Sequence, residues 1–282
     1  MATWFITGCS TGIGRAAAAV VARAGHTVVA TARRPETLDD LVAAHPDTVI
    51  ALPLDVTDDA SVASAVDATL ERVGHIDVLV NNAGIGYFST IEESDADDVH
   101  AMMEANFWGA ARVTTAFLPH LRERRAGHIL TVSSIAGVRG SAGLGYYCAT
   151  KFAVSGFMEA LAAEVGHLGI RVTLIEPGPV RSLWIPSGEK NEAVLPDYAE
   201  VMEPFWDRIR GLPGKQPGSP EALAEAMLAL VDAPQPPLHF VAGVHALAGA
   251  RTKIERLTAE VEGWEALTRS VDRPVSPADA GA

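Results

Sequence analysis

Tyr147 and Lys151 stand four residues apart in Tyr147-Cys148-Ala149-Thr150-Lys151, and Ser133-Ser134 close an apolar run a short way before them. If this segment is helical, positions i and i+4 lie one above the other on the same face. An ammonium held beneath a phenol favours the phenolate, because a nearby opposite charge stabilises the ionised form. Tyrosine ordinarily titrates near ~10, so a fall of about two or three pH units makes it an acid and base usable near neutral pH. A serine hydroxyl beside that phenol polarises a carbonyl oxygen. Together these side chains suit proton transfer between an alcohol and a ketone, provided a hydride carrier binds alongside.

The elements that must position them begin at the N-terminus. Trp4-Phe5-Ile6 reads as a buried strand broken by Thr7-Gly8, and the loop Gly8-Cys9-Ser10-Thr11-Gly12-Ile13-Gly14 opens an alanine-rich helix over 15–24. Strand, glycine loop and helix together form the start of a dinucleotide-binding unit, with pyrophosphate on the helix N-terminus. The spacing Gly8-x-x-x-Gly12-x-Gly14 is not G-x-G-x-x-G, and three glycines after a strand serve equally as turn chemistry. The strand over 26–32 ends without a carboxylate and runs into Arg33-Arg34. An acidic residue there would hold ribose hydroxyls, whereas an arginine accepts a 2′-phosphate. Read alone, the two arginines are a solvated pair; beside a glycine loop they point to NADP(H).

A helix over 36–44 leads to a strand over 48–54 and then Asp55-Val56-Thr57-Asp58, with Thr57 or Asp58 as N-cap of a helix through Val73. Asp55, at a strand's carboxyl end, suits either an adenine amino group or loop capping. The strand over 76–80 ends in Asn81-Asn82-Ala83-Gly84, a turn composition that would share a sheet edge with the glycine loop. A helix over 95–118 carries Asn106 near its middle, where a buried asparagine needs a partner. The strand from Gly127 ends at Ser133-Ser134; a helix over 146–167, a strand over 170–175 and Glu176-Pro177-Gly178-Pro179 follow. The segment 180–220, with Trp184, Tyr198, Phe205 and Trp206, breaks the β-α rhythm and reads as a lid or as its own small core. A helix over 220–231 and a strand over 239–241 return to the sheet. The alternation predicts an α/β fold, a Rossmann-type doubly wound parallel sheet of about seven strands with helices on both faces. One domain over 1–268, an insertion at about 183–219 and a flexible tail over 269–282 are expected.

With 282 residues, 48% apolar and 20% charged, the chain has a soluble globular balance, and its net charge of −13 argues against nucleic-acid binding. Two cysteines, Cys9 and Cys148, exclude a disulfide framework, and Thr3-Trp4-Phe5-Ile6 reads as a first strand and not as a signal peptide. No apolar run reaches the length of a membrane span. A cytoplasmic protein is expected, with no metal site.

In order and at these separations, the glycine loop, Asn81-Asn82-Ala83-Gly84, Asn106, Ser134 and Tyr147-x-x-x-Lys151 resemble the short-chain dehydrogenase/reductase family over roughly residues 3–182. The wording is similar to members acting on steroid, retinol and other lipophilic carbonyls. The resemblance implies a coenzyme site at Gly8, Ser10, Thr11, Gly12, Ile13 and Gly14 for the pyrophosphate. Arg33, with Arg34 or Ser10, would hold the 2′-phosphate. Asp55 and Val56 would meet the adenine, with Asn82, Ala83 and Gly84 on the adenosine side. Pro177, Gly178, Val180 and Ser182, with Tyr147 and Lys151, would hold the nicotinamide end; Ser182 stands where the family commonly has threonine. The family's serine lies 13 positions before its tyrosine, which selects Ser134 over Ser133.

The resemblance further implies Tyr147 as general acid and base, Ser134 on the substrate oxygen, Lys151 on the ribose and below the phenol, and Asn106 in a proton relay. A pocket of Ser134, Gly143, Leu144, Trp184, Tyr198, Phe205 and Trp206 would take a small-molecule carbonyl or alcohol. A homodimer or homotetramer through the helices over 95–118 and 146–167 is expected. A dinucleotide-sensing protein without turnover, or a nucleotide-sugar epimerase or dehydratase, is the competing reading.

Overall fold

A computed structural model of the chain describes residues 1–190, 192 and 195–272. Short apolar strands alternate with helices along most of it: β1 (Thr3–Ile6), α1 (Gly12–Arg23), β2 (Thr27–Ala32), α2 (Asp39–Ala44), β3 (Val49–Pro53), α3 (Asp59–Val73) and β4 (Val78–Asn81). After a two-residue strand, β5 (Tyr87–Phe88), come α4 (Ala96–Met103), α5 (Gly109–Arg124), β6 (Gly127–Val132), α6 (Gly145–Val165) and β7 (Ile170–Pro177). The insertion contributes α7 (Trp184–Ser187), β8 (Glu189–Lys190) and α8 (Ala199–Gly211). The chain then forms α9 (Pro220–Asp232), β9 (His239–Ala242), α10 (Val244–Gly263) and α11 (Glu265–Arg269).

The main sheet has seven strands in the order β3-β2-β1-β4-β6-β7-β9, and every pairing is parallel. Parallel strands need covered faces, and the period-2 alternation of side chains supplies two cores. Trp4 and Ile6 point with Ala17, Val21 and Met227 into the layer under α1 and α9. Phe5 points the other way, with Leu79, Phe117, Ile129 and Met158, under α3, α5 and α6. The Phe5 and Phe117 rings meet edge to face, centroids 4.8 Å apart; burying one such ring stabilises the fold by about 2–3 kcal/mol. The strand order reverses direction between β1 and β4, so the loops after them diverge and leave a crevice at the carboxyl edge.

Several elements differ from the sequence reading. The helix expected over 95–118 is interrupted by a π turn, Glu104–Trp108, which carries Asn106, and continues to Arg124. Asp58, not Thr57, caps α3 by accepting from the Ala60 amide at 3.1 Å. Residues 269–282 do not all form a tail: Arg269 ends α11, and 273–282 lie outside the described residues, as do 191, 193 and 194 of the insertion. The 20-residue α10 and the short ladder of β5 with β8 have no counterpart in the sequence reading.

Candidate active site

The loop after β1 is held in shape from β4. The Thr7 hydroxyl accepts from the Asn82 and Ala83 amides at 2.9 and 3.0 Å, and Asn82 Nδ2 donates to the Thr7 and Gly8 carbonyls at 2.8 and 3.1 Å. Gly8 has φ +71°, and a Cβ there would come within 2.9 Å of the Ala83 Cα. A Cβ at Gly14 would lie 2.4 Å from the Gly8 carbonyl oxygen. Gly14 therefore packs α1 onto the loop and does not line the cavity, whereas Gly8, Ser10, Thr11, Gly12 and Ile13 do.

Thr11, the N-cap of α1, makes no side-chain cap, and the first turn holds no acidic residue. That leaves the amides and the positive end of the helix dipole available to an anion. At the end of β2, Arg33 lines the same cavity and, among the described residues, makes no ion pair or hydrogen bond; Arg34 does not line it. Asp55 and Val56 line the cavity too. The Asp55 carboxylate accepts from the Thr57 amide and hydroxyl at 3.0 and 2.7 Å, which lowers its pKa, so the loop-capping alternative has its bonds. This donor set suits a dinucleotide diphosphate with an extra phosphate near Arg33.

The cavity, about 1080 Å³, runs from this loop to Ser134, Tyr147 and Lys151. Ser134 starts a short 3-10 turn, with its Oγ accepting from the Ala136 amide at 3.1 Å. Ser133 is tied off at 3.3 Å to Ser155, a buried pair. Tyr147 and Lys151 are buried one turn apart on α6. The expected acidification of the phenol is absent here. Burial pushes the Tyr147 pKa up, more than the Ser134 hydroxyl beside it brings it down. Lys151 is brought down to about 8 by burial, and its Nζ donates to the Val132 carbonyl at 2.9 Å, 5.8 Å from the phenol ring centre. The ammonium thus bonds to the strand while lying over the face of the phenol ring.

Asn106 is held by Ile85, whose amide it accepts at 2.7 Å and whose carbonyl it donates to at 3.0 Å, with Thr150 Oγ1 at 3.2 Å. The backbone-bonded alternative for this residue therefore has the geometry. A π turn at the asparagine, a deformation common at functional sites, carries no signal in residue propensity. Gly84, whose Cβ would meet Asn106 Oδ1 at 2.9 Å, packs against it. Cys9 is pushed up to about 12 by burial, and burial also raises Cys148; neither is an activated thiol.

Beyond Pro177 and Gly178, Val180 and Ser182 fold over the glycine loop, Ser182 Cβ standing 3.2 Å from where a Gly12 Cβ would be. The insertion then closes the far end. Leu144, Trp184 and Phe205 line the cavity as expected, Trp184 with its ring 4.8 Å from that of Tyr147. Tyr198, Trp206 and Gly143 do not. Trp206 is buried in the insertion's own core with Met202 and Ile209, while Tyr198 packs against that core and donates to Glu92 at 2.5 Å. Gly143 (φ +74°) packs against Phe205, a Cβ there lying 2.6 Å from the ring. The insertion is both a lid and a small core, and Phe205 and Ile209 of α8 belong to both. Ile185 lines the wall beside Trp184, as an apolar lid implies, whereas sequence reading missed Phe88, Arg208, Ile209 and Leu212; the 205/208/209/212 spacing on one helical face is the available signal.

A short chain dehydrogenase family model matches residues 2–191. Oxidoreductase BOA17 of Botryotinia fuckeliana is 39% identical over 266 residues, 94% of this chain and 97% of that protein. A short-chain dehydrogenase structure from Streptomyces avermitilis is 38% identical, covers 96% of this chain and 98% of its own, and superposes with a TM-score of 0.89. An alcohol dehydrogenase from Thermococcus sibiricus, complexed with 5-hydroxy-NADP, is 28% identical over 85% of this chain and 95% of its own, with a TM-score of 0.71.

Proposed function

The chain belongs to the short-chain dehydrogenase/reductase family, and on that premise we propose that it is an NADP(H)-dependent oxidoreductase interconverting a lipophilic secondary alcohol with its ketone or aldehyde. The observation that carries this reading is the single cavity joining Arg33 and the uncapped start of α1 to Ser134, Tyr147 and Lys151. Bound coenzyme supplies the hydride donor or acceptor at its nicotinamide C4.

This chain's own residues do the rest. Gly8, Ser10, Thr11, Gly12 and Ile13 offer backbone donors to the diphosphate, and Arg33 takes the 2′-phosphate. Pro177, Gly178, Val180 and Ser182 close over the nicotinamide end. In the reductive direction Tyr147 hands its phenolic proton to the substrate oxygen, and the burial that raises its pKa keeps that proton in place until it is needed. The Ser134 hydroxyl donates to the same oxygen as negative charge develops on it. Lys151 orients the coenzyme ribose, and Asn106 anchors the relay behind it. Phe88, Leu144, Trp184, Ile185 and Phe205 line the substrate end, and an apolar wall of that size favours a lipophilic carbonyl.

No helix among the described residues is long and apolar enough to cross a membrane. The free, buried thiols of Cys9 and Cys148 accord with a cytoplasmic location. Self-association through α5 and α6 belongs to the same proposal; Trp108, preceding α5, and Phe152, on α6, are exposed apolar side chains there.

The deciding experiment follows reduced-nicotinamide absorbance across a panel of ketones, aldehydes and alcohols, with wild type and Tyr147→Phe. We expect turnover by the wild type and a fall in kcat of about 10²–10⁴-fold in the variant, with coenzyme binding retained. Coenzyme binding without turnover on any substrate identifies a sensor instead, and near-wild-type reduction by Tyr147→Phe removes the phenol from the mechanism.

A further inference from the structure

α10 leaves the body of the molecule while remaining apolar on one side. Its first two turns are anchored: Ala246, Gly249 and Ala250 are buried, and a Cβ on Gly249 would come within 2.9 Å of Arg139 Nε. From residue 251 onward every described residue is exposed except the half-buried Lys253. The remaining 13 residues of α10 extend about 20 Å at 1.5 Å per residue.

A helix standing in water is expected to be polar all round. This one carries Leu247, Ala250, Ile254, Leu257, Val261 and Trp264, alternating in steps of three and four. That is the seam of a helix that packs along another helix. Ile254 and Val261 are each 61% exposed and Trp264 is 65% exposed. Of the stripe only Ala250 is buried, Leu247 being 43% exposed, so the apolar side runs past the edge of the body and is left uncovered among the described residues. An isolated helix of this length is marginal in water, and packing of its apolar face is what would stabilise it.

The charges identify what covers it. Arg251, Lys253, Glu255 and Arg256 lie in the half nearer the body, a net basic set, and Glu260, Glu262 and Glu265 in the half beyond, a net acidic set; within the chain Arg256 pairs with Glu260 and Arg269 with Glu265. A parallel copy would set like charge against like. An antiparallel copy sets the basic half of each helix along the acidic half of the other, and a two-fold axis closes the pair. An anionic membrane surface fits poorly, because the distal half is acidic and the chain carries a net charge of −13.

We propose that α10 is an interface for a second copy of this chain, the two helices packing antiparallel through Leu247, Ile254, Leu257, Val261 and Trp264. The interface is separate from the faces of α5 and α6, and it stands whether or not the proposed enzymatic activity does.

Arg251→Cys and Glu265→Cys variants of the full chain, mixed and oxidised, read the geometry directly, since both native cysteines are buried. Antiparallel pairing predicts disulfides joining 251 to 265 in excess over 251–251 and 265–265. Independently, Ile254→Glu/Leu257→Glu/Val261→Glu should halve the assembled mass measured by light scattering and retain a cooperative melt. Predominant 251–251 and 265–265 links, or no link together with an unchanged mass in the triple variant, overturn the proposal. So does a monomeric wild type that binds phosphatidylserine vesicles through the stripe, which would assign the face to lipid.

Discussion

Lys151 stands one helical turn from Tyr147, yet its Nζ donates to the Val132 carbonyl at 2.9 Å and lies 5.8 Å from the centre of the phenol ring. The i, i+4 spacing puts both side chains on one face of α6 but leaves open which neighbour takes the ammonium. The strand that ends in Ser133-Ser134 offers a carbonyl, and the lysine takes it.

The buried lysine makes the stability of the coenzyme-free chain rise with pH. Burial brings Lys151 down to about 8, against about 10.4 in an unfolded chain. Below pH ~8 both states are charged and the burial penalty is present in full. Between ~8 and ~10.4 the unfolded state holds one proton more than the native state, so stability increases with pH. The gain contributed by this group is at most about 3 kcal/mol. Melting curves across this range should show the rise in wild type and lose it in Lys151→Met; equal slopes in the two proteins would contradict it.

The raised pKa of Tyr147 favours the protonated phenol. Ketone reduction starts from that form, whereas alcohol oxidation needs the phenolate. We therefore expect kcat for oxidation to climb from pH ~6 to ~10 while kcat for reduction does not. Initial rates in both directions test this, and a flat oxidation profile would count against Tyr147 as the base.

Arg33 reaches the cavity and Arg34 does not. Arg33→Ala should raise KM for NADPH by about 10–100-fold, the loss of a charge-assisted hydrogen bond of about 1.5–3 kcal/mol, and leave KM for NADH nearly unchanged. Arg34→Ala should have little effect on either. Equal losses for both coenzymes in Arg33→Ala would show that the guanidinium does not read the 2′-phosphate.

Gly143→Ala tests the wall of the substrate end without touching a reacting group. The positive φ costs about 1–2 kcal/mol for any L side chain, and the added methyl, 2.6 Å from the Phe205 ring, must displace that ring, which lines the cavity. The expected result is a lower melting temperature and a rise in KM for bulky ketones that exceeds the rise for small ones. Unchanged selectivity between them would separate Phe205 from the pocket.

Much of this molecule was legible because its signals are local. Trp4-Phe5-Ile6, the glycine loop and the strand ending at Ser133-Ser134 each announce themselves by apolar runs broken by residues with special backbone freedom. The order of strands and helices, with parallel crossovers of one hand, then dictates which ends meet at the carboxyl edge. The spacing of 13 residues before Tyr147, which the family resemblance implies, favours Ser134 over Ser133; in the structure Ser133 pairs with Ser155 and Ser134 lies beside the phenol.

The sequence by itself determined the sheet, the elements that feed its edge and the residue types that gather there, since side-chain periodicity and turn chemistry depend on near neighbours. Only the tertiary structure decided which groups are left to react or to bind. The carbonyl that captures Lys151, the Ile85 backbone that holds Asn106 at a π turn, and the packing of α8 that puts Phe205 of the lid's core on the cavity wall and leaves Trp206 off it are contacts between segments far apart in the chain. No pattern of near neighbours encodes such contacts, because each depends on how closely two independently formed elements come to pack.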